Sequence, residues 1–82
     1  MSIFCSALSG SLPLRFQWLK DGQSISKSND NIETNLIDEM NSLLVIKNVS
    51  SFHNGNYTCS VQNDIGIDAH TVRVTVKGIE NW

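Results

Sequence analysis

The stretch His53-Asn54-Gly55-Asn56-Tyr57-Thr58-Cys59 decides how the rest of the chain is read. Asn-Gly forms a turn readily, because Gly supplies positive φ and Asn tolerates it. Past that turn, Tyr57, Cys59 and Val61 alternate with Thr58, Ser60 and Gln62. This period of two predicts a strand over residues 56–63 with Tyr57, Cys59 and Val61 facing inward.

Working outward, Asp64-Ile65-Gly66 predicts a hairpin turn, and Val72, Val74 and Val76 predict a strand over 69–76. Upstream, residues 42–47 form a strand in which Leu44 and Ile46 share a face that Val49 continues, while Leu43, Val45 and Lys47 take the other. Residues 32–38 form a strand of weaker alternation. Residues 15–20 place Phe16 and Trp18 inward and Gln17 outward, and Lys20-Asp21-Gly22 closes that strand in a tight turn. The polar run 23–31 holds at most a short strand around Ile25. Near the N-terminus Ile3, Cys5 and Ala7 alternate with Phe4 and Leu8, a further strand, and residues 9–13 form a loop.

Composition narrows the function classes. Eighty-two residues suit one domain, near the lower end of what a single core supports. A net charge of −2 with six scattered Lys and Arg leaves no basic stripe for nucleic acid. Leu43-Leu44-Val45-Ile46, the longest strictly apolar run, is far too short to span a membrane, so any membrane attachment comes from other parts of a parent protein. No secretory signal pattern stands at the N-terminus. Glycines occur singly at turns, so no phosphate-cradling loop exists and no small-molecule substrate or cofactor is expected. His53 and His70 have no metal-ligand spacing and are expected as solvated surface residues at opposite ends of the last two strands. No convergent set of nucleophile, base and polar groups remains, so no enzyme is expected.

Tyr57 two residues before Cys59, after a turn, has the sequence form of a tyrosine corner. Cys59-Ser60-Val61-Gln62-Asn63-Asp64-Ile65-Gly66 resembles the CxVxNxxG signature of intermediate-set immunoglobulin domains, and Phe16-Gln17-Trp18-Leu19-Lys20-Asp21-Gly22 resembles their FxWxKDG segment. The run Ile37-Asp38-Glu39-Met40-Asn41-Ser42-Leu43-Leu44-Val45-Ile46 is similar to the Down syndrome cell adhesion molecules (Dscam), particularly the variable domains of arthropod and shortened chelicerate forms. The resemblance implies an all-β immunoglobulin-like sandwich over residues 1–77, with residues 78–82 opening an inter-domain linker. Only four residues precede Cys5, so the first strand of such a sandwich is expected to be truncated or missing: either the chain is a fragment or the Cys5 strand is left as an unpaired edge. His53 departs from the family pattern, which usually has Asp there.

The resemblance also implies a Cys5–Cys59 disulfide across core residues Trp18 and Tyr57. Two cysteines in a small β-rich chain favour a bridge over free thiols, and closing that loop stabilises by about 4 kcal/mol. An oxidising, extracellular location follows. The alternative is a pair of buried, reduced cysteines, as in intracellular immunoglobulin domains of muscle.

Two sequons are present, Asn48-Val49-Ser50 and Asn56-Tyr57-Thr58. Asn56 has outward parity on one sheet, where a glycan hinders contact. On the other sheet outward parity collects Phe4, Leu8, Ile37, Leu43 and Val45, with Phe4 and Val45 expected side by side. An exposed apolar patch usually marks an interaction site. Two other readings compete: another strand covers the patch, or the parity is off by one, which flips every side chain. The resemblance implies homophilic, isoform-specific cell adhesion between neurons or immune cells through this face, as an antiparallel two-fold homodimer. Glu33, Asn35 and Lys47 would then set specificity by charge and hydrogen bonding. The rivals are a structural spacer in a larger receptor or muscle protein, and a heterophilic receptor domain that binds through its loops.

Overall fold

A computed structural model of the chain describes residues 1–7, 11–25 and 31–76. Its strands are β1 (Ser2–Ser6), β2 (Arg15–Lys20), β3 (Gln23–Ser24), β4 (Ile32–Asp38), β5 (Asn41–Ile46), β6 (Gly55–Gln62) and β7 (Ile67–Val74), with a 3-10 turn at Ser51–His53. They form two antiparallel sheets, ordered β1-β5-β4 and β3-β2-β6-β7. Among the described residues β1 stands at the end of its sheet, beside β5. Leu8 and residues 78–82, the expected start of a linker, lie outside the described residues.

The inward alternation of each strand builds one core. Leu44, Ile46 and Tyr57 are fully buried, and Cys5, Trp18, Ile32, Cys59 and Val74 pack with them. The Cys5–Cys59 disulfide links the two sheets. The corner at the start of β6 is closed by Tyr57, whose hydroxyl donates to the His53 carbonyl at 2.8 Å.

Local chemistry sets the strand ends more sharply than periodicity does. Asp21 and Gly22 both have positive φ (51° and 84°) between the paired residues Lys20 and Gln23. This is the twist that a two-residue hairpin needs. Asp21 also ties that hairpin to β6: its N–H donates to the Asn56 carbonyl (2.8 Å), and its carboxylate accepts the Asn56 N–H (2.9 Å). The approach requires glycine at position 55, where a Cβ would stand 2.8 Å from Asp21 Oδ2. Strand β7 begins at Ile67, two residues before the expected position. Asn63 Oδ1 accepts the N–H groups of Ile65 and Gly66 (2.9 and 3.0 Å), so the hairpin closes early and pairing starts at once with Gln62 and Ile67.

His53 departs from the solvated position expected of it. It is 4% exposed. Ser50 N–H donates to its Nδ1 at 3.0 Å, and its own N–H donates to the Ser50 carbonyl at 3.0 Å. The ring thus closes the 3-10 turn beneath the tyrosine corner. His70 does lie at the surface, but in mid-strand opposite Cys59 rather than at a strand end.

A second buried polar group was not foreseen. Ser42 Oγ, deep in the core, accepts the indole N–H of Trp18 (2.9 Å) and donates to the Asn35 carbonyl (3.2 Å). Removing the hydroxyl strands the indole N–H in an apolar site. Ser42→Ala is therefore expected to lower stability by about 1–3 kcal/mol, as read by urea unfolding at unchanged m-value. No loss would mean that the indole finds another acceptor.

Candidate recognition surface

The outer face of the β1-β5-β4 sheet is set by register. Three rows of residues cross it: Ser2–Val45–Glu33, Phe4–Leu43–Asn35 and Ser6–Asn41–Asp38. Cys5 and Leu44 point into the core, so their neighbours in sequence must point out. Phe4 is 59% exposed, while Leu43 and Val45 are half-buried. The face therefore has an apolar middle row with Phe4 directly opposite Leu43. Val45 stands opposite Ser2 and only diagonal to Phe4, one pair away from the expected neighbour.

Ile37 reaches the surface by another route. The register shifts between Leu36 and Asp38, which makes Ile37 the extra residue of a β-bulge. It is 52% exposed at the edge of the patch. The preceding Leu36 has inward parity opposite Ser42, yet it remains exposed at the mouth of a cavity of about 460 Å³ between the sheets, lined also by Leu14, Phe16 and Ile25.

Charge and hydrogen bonding border the apolar row at both ends. At one end Lys47 Nζ donates to Glu33 Oε1 at 2.8 Å. Both side chains are substantially exposed, so the pair adds little to stability, and its significance is where it fixes charge. At the other end Ser6 Oγ donates to Asn41 Oδ1, and Asn41 Nδ2 donates to both oxygens of Asp38 at 2.7 and 2.9 Å. The Met40 N–H, followed by the Asn41 side chain, holds the Asp38 carboxyl below its ordinary value. Ser6, Asn41 and Asp38 were not among the expected surface residues. The signal for them was the run Asp38-Glu39-Met40-Asn41, whose ends pair across a two-residue connection.

The two sequons lie apart. Asn56 is exposed on β6 of the opposite sheet, across from Arg73, and the hydroxyls of Thr58 and Thr71 are 2.9 Å apart beside it. Asn48 is exposed at positive φ in the turn after β5, next to Lys47.

Comparison with known proteins follows the same lines. The profile of the immunoglobulin domain family matches residues 1–63. The chicken (Gallus gallus) cell adhesion molecule DSCAM is 38% identical over 73 residues, covering 89% of this chain. The chain spans only about 4% of that relative's length. Among solved structures, the N-terminal eight immunoglobulin domains of Dscam isoform 1.30.30 superpose with a TM-score of 0.82 at 36% identity, over 92% of this chain and 11% of that one. The Dscam1 Ig7 domain of isoform 5 superposes with a TM-score of 0.89 over 93% of this chain and 77% of that one; at 22% identity it speaks to the fold alone. The chain belongs to the immunoglobulin domain family, and within it resembles the domains of the Dscam cell adhesion molecules.

Proposed function

We propose that the chain is an extracellular recognition module of a cell-surface protein, and that it binds a second copy of itself through the outer face of the β1-β5-β4 sheet. The observation that carries this reading is the row Phe4–Leu43–Asn35, an outward apolar pair on neighbouring strands with polar groups at both ends. Its similarity to adhesion molecules supports the same class of function. A two-fold arrangement brings each row against its own mate in antiparallel fashion. Phe4, Leu43, Val45 and Ile37 then supply apolar contact, and Glu33, Asn35 and Lys47 select the partner. A glycan on Asn56 projects from the other sheet and leaves this face clear.

One face of a domain this size buries about 1,200–1,600 Å² in a pairwise contact. Area does not set affinity, and a single domain associates weakly, at about micromolar, until several act together. Sedimentation across a concentration series tests the reading. The parent chain is expected to pass from monomer to dimer. Phe4→Arg, which sets like charges near the two-fold axis, is expected to raise the dissociation constant at least about tenfold without unfolding the domain. A parent that stays monomeric, or a Phe4→Arg protein that dimerises equally well, would refute it.

A further inference from the structure

The pair Asn54-Gly55 bears a chemistry that recognition does not use. Of the chain's asparagines only Asn54 precedes a glycine. Asparagine is a thermolabile residue, and a following glycine leaves the next backbone nitrogen free of side-chain obstruction. Position 55 cannot give up that glycine. Its φ is +151°, and a Cβ there would stand 2.8 and 2.9 Å from the two Asp21 carboxylate oxygens. Asn54 itself is exposed to water.

The closed fold keeps the reacting atoms apart. Cyclisation of the side chain needs the Gly55 nitrogen to face Asn54 Cγ in a near-attack geometry. In an L-residue this brings that nitrogen and Cβ to the same side of the Cα–C bond, at negative ψ. Asn54 instead has φ −59° and ψ 139°. Three contacts hold it so. Its N–H donates to the Ser51 carbonyl at 3.2 Å, and its Oδ1 accepts the Val76 N–H. Successive residues of an antiparallel strand turn their backbone groups to opposite sides. Asn56 turns its groups to Asp21, so Gly55 turns its N–H to β7, where Val74 stands opposite.

We propose that Asn54 is a latent deamidation site, silent while residues 74–76 are seated and converted when they lift away. Once ψ is free to turn, the Gly55 nitrogen bonds to Asn54 Cγ. The Cγ–Nδ2 bond breaks, and Nδ2 leaves as ammonia with the Gly55 amide proton. Water then opens the cyclic imide. Cleavage at Cγ gives aspartate; cleavage at the main-chain carbonyl gives isoaspartate, with the chain continuing through Cβ and Cγ. Either product adds one negative charge to a formal −2. Isoaspartate also lengthens the main chain by one carbon between His53 and Gly55. His53 gives its carbonyl to the Tyr57 hydroxyl at 2.8 Å, and Gly55 packs on Asp21, so these two contacts fall out of step. A domain that has opened at this end therefore carries a permanent chemical mark and closes less firmly.

Peptide mapping of the full chain tests the site, with conversion of Asn54 followed by mass and by enzymatic methylation of isoaspartate. In native buffer conversion is expected to run at least about tenfold slower than in urea that unfolds the chain, since only the opened fraction reacts. Val76→Pro removes the N–H that holds Oδ1 and is expected to raise the native rate about tenfold. Val76→Ala keeps that N–H and stays nearer the parent. The parent gives the same reading without a substitution: Asn54 conversion and amide exchange at Gly55 rise together as urea is added below the unfolding transition. The isoaspartate product, isolated by chromatography, is expected to unfold at lower urea than Asn54→Asp, which carries the same charge on a normal main chain. Equal rates in native buffer and in urea, a native rate unmoved by Val76→Pro, conversion that does not follow Gly55 exchange, or an isoaspartate product as stable as Asn54→Asp would each overturn the proposal.

Discussion

Replacing Cys5 and Cys59 together by alanine is expected to lower the unfolding free energy by about 4 kcal/mol. The bridge closes a loop of sequence separation 54, and both half-cystines are almost fully buried beside Trp18. Opening it releases the unfolded chain from that constraint and removes the covalent tie between two otherwise separate sheets. A domain of this size has a total stability of about 4–12 kcal/mol, so the double variant is expected to be marginal or unfolded at 37 °C. Urea unfolding at 25 °C reads the difference. Alkylation of the native, unreduced protein followed by mass measurement reads the premise, with no reactive thiol expected. Two alkylated cysteines in the folded parent, or a double variant as stable as the parent, would contradict the account.

The parity of the core strands was legible because Cys5, Trp18, Tyr57 and Cys59 leave little choice of face. With Cys5 inward, Phe4 must point out, and with Leu44 inward, Leu43 and Val45 must point out. Cross-strand register was not legible in the same way. Nothing within residues 3–8 states which residue of β5 lies opposite Phe4, since that depends on how the distant connection closes; the neighbour turned out to be Leu43 rather than Val45. The bulge at Ile37 escaped for a related reason, because one extra residue inside a weakly alternating strand leaves no mark on its composition. His53 was misplaced because a polar residue just before a strand reads as solvated. Its burial follows from a three-residue turn that uses the imidazole to accept a backbone N–H. Strand ends shifted by one or two residues wherever an asparagine side chain took over from the ladder, as Asn63 does before β7 and Asn54 does by accepting the Val76 N–H.

The consecutive leucines of β5 turn the face assignment into a paired measurement. Leu44 is fully buried in the core, and its truncation leaves a cavity that the surrounding Trp18, Ile46 and Tyr57 fill only in part. Leu44→Ala is expected to cost about 3 kcal/mol of folding stability, with little change in self-association at temperatures where the variant stays folded. Leu43 points the other way, half-buried against Phe4 and Asn35 on the outer face. Leu43→Ala is expected to cost less than about 1 kcal/mol of stability, because the site opens to solvent and leaves no enclosed void. Its main effect falls on association, where loss of a central apolar contact raises the dissociation constant about tenfold. Urea unfolding and sedimentation on the same two variants give four numbers, and the crossed pattern is the test. If both substitutions destabilise folding alike and neither moves the dimer equilibrium, the half-burial of Leu43 reflects only packing within the sheet, and the Phe4–Leu43 row is no contact surface.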